Sequence, residues 1–167
     1  MNDEDDEIEN NPLICVIGFP KSKADKLADR IRKAGFACHD GVEQLDATEV
    51  IDHPLACHCD AWEKILDPLE ESDVIVAYYD EHEPNTVETA LLLGLTYSNG
   101  KVCILYTEKP LERAFFTLAA IVAAHAVGEK DLLAVLNRLR GVDLDEPSKK
   151  TAEAVALLAG LHRIKTS

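Results

Sequence analysis

Three apolar runs do most to restrict what this chain can fold into: PLICVIGF at Pro12 to Phe19, DVIVAYY at Asp73 to Tyr79, and KVCILY at Lys101 to Tyr106. Each is short, nearly unbroken by polar residues and bounded by turn formers, the pattern of a strand covered on both faces. The segments between them change period. Lys21 to Ala34 places Ala24, Leu27, Ala28 and Ile31 on one helical face, and Gly35 follows where helices favour glycine. Thr86 to Ser98 is a second helix, closed by Asn99 and Gly100. Strands separated by helices predict a parallel sheet with right-handed crossovers.

The remaining segments extend this alternation. Phe36 to His39 reads as a short strand, and Asp40 to Asp60 as a loop with helical turns. Asp60 to Ser72 is helical with Trp62, Ile65, Leu66 and Leu69 inward, kinked or restarted at Pro68, where Asp67 and Glu70 form a restart signal. Leu111 to Val127 is so rich in alanine that helix and strand compete; we expect a helix to about Leu118 and a strand near Ile121 to Val127, then an amphipathic helix at Lys130 to Arg140. Ser148 caps a final helix, Lys149 to Leu161. The expected fold is a three-layer α/β/α, Rossmann-like domain with a parallel sheet of four or five strands. It occupies residues 12–142, between an acidic N-terminal tail, 1–11, expected to be disordered, and a linker with a C-terminal helix, 143–167.

Charge narrows the function. With 17 Lys and Arg against 31 Asp and Glu, the net charge is -14, which argues against a broad nucleic-acid or anionic-membrane surface. Part of the charge is local, in MNDEDDEIEN at residues 1 to 10. Nothing resembles a signal peptide or an uninterrupted membrane span, so an intracellular, cytoplasmic protein is expected. The five cysteines, Cys15, Cys38, Cys57, Cys59 and Cys103, are read as buried free thiols.

Ligands of open parallel sheets bind beyond the carboxyl ends of the strands, which directs attention to Gly18 to Lys23, Asp80 to Thr86 and the turn after Tyr106. In the first loop, Gly18 lets backbone approach a ligand, while Lys21, Ser22 and Lys23 lie at a helix N-terminus that favours anions; Ser22 is equally explained as an N-cap. In the second, Asp80, Glu81, His82, Glu83 and Glu88 collect near one strand end, where crowded carboxylates can separate one another's pKa values. The plainer account of Glu88 is a capping box with Asn85, and that of Asp80 to Glu83 a solvated acidic loop. His53 with Cys57 and Cys59 matches no common structural zinc spacing, and no metal or cofactor is assigned. His125, in an apolar run, reads as a satisfied core histidine.

IGFP at Ile17 to Pro20, SDVIVAYYD at Ser72 to Asp80, HEPN at His82 to Asn85, ETALLLG at Glu88 to Gly94 and NGKVCIL at Asn99 to Leu105 together resemble, in order, the nucleoside 2-deoxyribosyltransferase family. The resemblance covers Leu13 to Tyr106, with a tail to Arg140. It implies a glutamate nucleophile that attacks the anomeric carbon of a 2'-deoxynucleoside, giving a covalent intermediate passed to another base or to water. Matching Thr89, Ala90 and Gly94 to the signature puts the nucleophile's position on Leu92, leaving Glu88 one turn earlier on the same face as a relocated candidate. The resemblance therefore implies Glu88, Asp80 and Asp60 as catalytic, with Gly18, Phe19, Pro20, Lys21, Ser22 and Asn85 on the substrate. The partner would be a nucleoside or its 5'-monophosphate, and the assembly a homo-oligomer. The alternative is an inactive relative that binds a nucleotide or associates with itself.

Overall fold

The computed structural model describes residues 11–39, 66–112, 120–142 and 144. Its sheet has five strands: β1, Ile14–Gly18; β2, Cys38–His39; β3, Val74–Tyr78; β4, Val102–Thr107; and β5, Ala124–Val127. All pairings are parallel, in the order β2-β1-β3-β4-β5. The helices are α1, Lys21–Lys33; α2, Thr86–Ser98; and α3, Glu129–Leu139, together with a helical stretch at 66–71.

The unbroken apolar runs become the central strands because both of their faces are covered. Ile14, Val16, Val74, Val76, Val102 and Ile104 face one side, under Leu27 and Ile31 of α1 and Leu132, Leu136 and Leu139 of α3. Cys15, Ile17, Ile75, Ala77, Cys103 and Leu105 face the other, against Leu69 and Leu93. Alternate residues thus feed two separate cores, the three-layer arrangement expected from the sequence. The strand order reverses between β1 and β3, the place where open parallel sheets commonly bind ligands.

Expected and observed elements agree closely where the period is clean. The second strand shrinks to two residues, and the strand expected near Ile121 to Val127 begins at Ala124. Pro68 sits inside the stretch 66–71, whose last turn is tied by the Ser72 hydroxyl donating to Pro68 O at 2.6 Å. The loop at 40–60, the helix to Leu118 and the final helix at 149–161 lie outside the described residues, apart from Leu111 and Glu112. No described helix is long and apolar enough to cross a membrane.

Two features of the sheet carry measurable consequences. Gly18 has φ +136°, and a Cβ there would lie 2.3 Å from Tyr78 O on the neighbouring strand. Gly18→Ala must therefore strain both strands, with an expected loss of about 3 kcal/mol in urea unfolding. Burial pushes the Cys15 thiol up to about 12 from an ordinary value of 9.0, and the Cys103 thiol up to about 11. Each thiol keeps its proton in the fold after the unfolded chain has lost it, so the unfolded state binds fewer protons and stability falls as pH rises past 9. The expected loss is of order 2–3 kcal/mol by about pH 10. Cys15→Ser with Cys103→Ser should flatten this dependence in a pH series of urea midpoints.

Candidate functional site

At the carboxyl edge, the chain leaves β1 through Gly18 and a cis Phe19–Pro20 peptide into α1. Pro20 occupies the N-cap position and provides no side-chain cap, so Ser22 lies inside the first turn, which corrects its expected role as an N-cap. Lys21 is tied to Asp25, with Nζ 2.8 and 2.9 Å from the two carboxylate oxygens. The lysine that reaches the strand ends is Lys23. Its Nζ lies 5.6 Å from the centre of the Tyr78 ring and 3.5 Å from Glu108 Oε2. A hydrogen bond with Tyr78, followed by the charges of Tyr78 and Glu108, raises its pKa, so Lys23 remains an ammonium.

Beyond β3 the backbone turns sharply. Asp80 Oδ1 accepts from His82 N at 3.0 Å, Asp80 O accepts from Glu83 N at 3.0 Å, and the Thr86 hydroxyl donates to Asp80 O at 2.9 Å and to Glu83 O. These bonds hold the Asp80 carboxylate at the mouth of a cleft of about 230 Å³ between the loops after β3 and β4, lined also by Lys23, Tyr79, His82 and Thr107. Glu81 Oε1 accepts from Glu112 N at 2.8 Å and closes the far side. The lining holds four carboxylates, Asp80, Glu81, Glu108 and Glu112, against the ammoniums of Lys23 and Lys109. Burial, followed by the charge of Glu81, raises the pKa of Tyr79, which therefore stays a neutral phenol.

Glu81, His82 and Glu112 each bring one ligand atom to within 4.8 Å of the others, a spacing a divalent cation can bridge; exposed acids also reach it without an ion. On the floor of the cleft, Thr107 Oγ1 lies 2.8 Å from His125 Nε2, which accounts for the histidine in the apolar run. Thr107 and His125 share a sheet face because β4 and β5 pair in parallel, Leu105 with His125 and Thr107 with Val127.

Of the residues expected to be catalytic, one lines the cleft. Asp80 lines the cleft, whereas Glu88, in the first turn of α2, is exposed and is not among the residues lining it. Asn85 holds the N-cap position without a side-chain cap, so the expected capping box is not formed; the Thr86 hydroxyl instead donates back to Asp80 O and Glu83 O of the preceding turn. Leu92, one turn after Glu88, is half-buried against the core under α2. Gly18, Phe19, Pro20, Lys21, Ser22 and Asn85 are likewise absent from the cleft lining, and Asp60, His53, Cys57 and Cys59 lie outside the described residues. Sequence reasoning gave less weight to Lys23 than to its neighbours and did not join Thr107 to His125. The signal available for Lys23 was its position one turn into the helix beside a strand ending in Tyr78.

The sequence matches no family profile and no curated protein. Among solved structures it is similar to the 2-deoxyribosyltransferase of Bacillus psychrosaccharolyticus, with 15% identity and a TM-score of 0.55 over 74% of this chain and 95% of that one. The chain has the deoxyribosyltransferase fold. A second similarity is to the Clostridium botulinum CMP N-glycosidase BcmB, with 19% identity and a TM-score of 0.40 over 74% of this chain and 98% of that one. On the deoxyribosyltransferase fold, then, this chain places a mixed-charge cleft beyond β3 and β4, with a buried hydroxyl–imidazole pair beneath it.

That pair gives a test of the cleft floor. Thr107→Val removes the hydroxyl facing His125 Nε2 and should lower stability by about 1–2 kcal/mol, whereas Thr107→Ser should retain most of it. Urea midpoints of the two variants measure the difference.

Proposed function

We infer that the chain binds a nucleoside or nucleotide across the carboxyl edge of β3 and β4 without using Glu88 as a nucleophile. The observation that carries this reading is the split between the two carboxylates. Asp80 is held at the cleft by its own turn, while Glu88 is exposed outside the lining and Leu92 is half-buried against the core. A near-attack geometry tolerates far less than the ~5.4 Å rise of one helical turn. Nucleoside chemistry enters through the fold shared with a 2-deoxyribosyltransferase.

The cleft's dimensions suit part of such a ligand. Its volume of about 230 Å³ falls below the roughly 300–1,000 Å³ usual for drug-sized ligands, so it takes a base or a sugar and leaves the rest at the open edge. Asp80 and the backbone of the β3 loop would accept hydrogen bonds from hydroxyl or amino groups, and Lys23 would donate one.

The second reading is N-glycosyl transfer or hydrolysis with Glu88 as nucleophile and Asp80 and Asp60 as substrate or proton partners. It is favoured by the accessible carboxylate of Glu88 at the first turn of α2, on the carboxyl side of the sheet. In that reaction the carboxylate forms an ester with the anomeric carbon as the bond to the base breaks, the base leaves with a proton, and water or a second base then cleaves the ester.

One set of measurements separates the readings. Ligand at one hundred times Kd should add about 2.7 kcal/mol, which raises the Tm by about 5–10 °C for a domain of this size. Asp80→Asn should reduce that shift, and no base should be released from 2'-deoxynucleosides or their 5'-monophosphates in the presence of an acceptor base. Absence of any Tm shift across the set overturns the binding reading. Base release that Glu88→Gln abolishes replaces it with the glycosyl reaction.

A further inference from the structure

Three helices begin at the carboxyl edge of the sheet, α1 after β1, α2 after β3 and α3 after β5. A helix N-terminus in this position ordinarily attracts a phosphate. None of the three offers an unopposed positive end. The first turn of α2 carries Glu88, and that of α3 carries Glu129 and Asp131. The first turn of α1 holds no acid, but its N-cap is Pro20, which has no N–H to give. Both lysines of that turn are matched by carboxylates: Lys21 Nζ lies 2.8 Å from Asp25 Oδ2, and Lys23 Nζ lies 3.5 Å from Glu108 Oε2.

The second pair matters more, because Lys23 and Glu108 both line the cleft. Lys23 is the ammonium that reaches the strand ends, 5.6 Å from the centre of the Tyr78 ring, and so is the cation a phosphate there would need. With Glu108 beside it, the two together present no net charge. The rest of the lining sets Asp80, Glu81 and Glu112 against Lys109, so with His82 neutral the cleft carries two net negative charges among the described residues. A 5'-phosphate would add a charge of about -1.5 to -2 at pH 7. One like charge roughly 6 Å away, at an effective dielectric constant of about 40, between surface and bulk-water values, weakens binding about tenfold. The 5'-hydroxyl of a nucleoside meets no such repulsion, and the Lys23 ammonium and the Asp80 carboxylate keep their capacity to hydrogen-bond it.

We propose that Glu108 is a specificity-determining residue: by neutralising Lys23 it makes the cleft select an uncharged nucleoside and reject the matching 5'-monophosphate. The proposal rests on the reading that the cleft binds a nucleoside or nucleotide, and it narrows that ligand by charge. Discrimination comes from a repulsive element built against the wrong ligand. The anions that the start of α1 favours are then internal ones, the carboxylates of Asp25 and Glu108. Because the Lys23–Glu108 pair is exposed, salt screens it, and the preference it creates depends on ionic strength.

The test measures Kd by titration calorimetry for 2'-deoxyadenosine, 2'-deoxyguanosine, 2'-deoxycytidine and thymidine and for the 5'-monophosphate of each. The buffer contains EDTA, so that no divalent cation bridges phosphate to carboxylate. Titrations are run at about 0.01 M and about 1 M salt, where the screening length falls from ~30 Å to ~3 Å. At low salt each nucleoside that binds should do so about tenfold or more tightly than its own monophosphate, and the gap should close at high salt. Glu108→Gln should narrow the low-salt gap by about tenfold, whereas Glu108→Asp, which keeps the charge, should preserve most of it. Glu108 is exposed, so both variants should fold. A monophosphate that binds as tightly as its nucleoside at low salt overturns the proposal and leaves the binding reading standing, as does a gap that Glu108→Gln does not change. Binding of neither class overturns the binding reading itself, and the proposal with it.

Discussion

The structure depends on one constraint: β1, β3 and β4 are parallel strands with no face left to water. In register, Ile14 to Gly18 pair with Val74 to Tyr78, and these with Val102 to Tyr106. Ile14, Cys15, Val16 and Ile17, and their partners Val74, Ile75, Val76 and Ala77, are fully buried. A strand in this position can hold almost no polar side chain, because an unsatisfied buried group costs of order 1–3 kcal/mol. Parallel pairing also forces every connection to cross back over a face. The covering helices are a requirement of the sheet; α1 and α3 turn polar faces to solvent, whereas α2 leaves Val87, Leu91 and Tyr97 exposed.

That arrangement decides where chemistry can occur. Polar residues are expelled to the strand ends, and at the carboxyl ends they meet the first turns of the returning helices. Tyr78 and Tyr106 stand side by side there, their ring centres 5.9 Å apart, with Lys23 of α1 over the first. The close approach of Gly18 to Tyr78 O keeps the first loop low against its neighbour, so the cleft opens instead between the loops after β3 and β4. Asp80 faces that opening because its carboxylate and its carbonyl are both used to shape the turn.

The parts legible in the sequence were those fixed by period. The runs at β1, β3 and β4 and the spacing of Ala24, Leu27, Ala28 and Ile31 gave strands and helix within a residue or two, since burial on a known face leaves few alternatives. The parallel pairing followed from alternation, with four or five strands expected and five found, whereas the order of the strands was not read from the sequence. The ends of elements were harder to read. Ser22 and Asn85 have the right chemistry for caps, yet Pro20 sets the start of α1 and the Thr86 hydroxyl closes the turn before α2, because local backbone geometry decides which group can reach. The cleft was only half legible. Asp80 could be placed at a strand end, but Lys23 against Lys21, and Thr107 with His125, depend on which side chains lean across strands, and sequence spacing does not report that.

The central seam of the sheet joins segments far apart in the chain, with Ile14 lying opposite Val74. Joining them closes a long loop, and the entropy of closure rises only with the logarithm of its length. The interval between β2 and β3 can therefore grow or shrink over evolution at little thermodynamic penalty. Its effect falls on timing: β1 must wait on the ribosome until β3 has emerged, so the central seam of this fold closes only after about half of it has been synthesised.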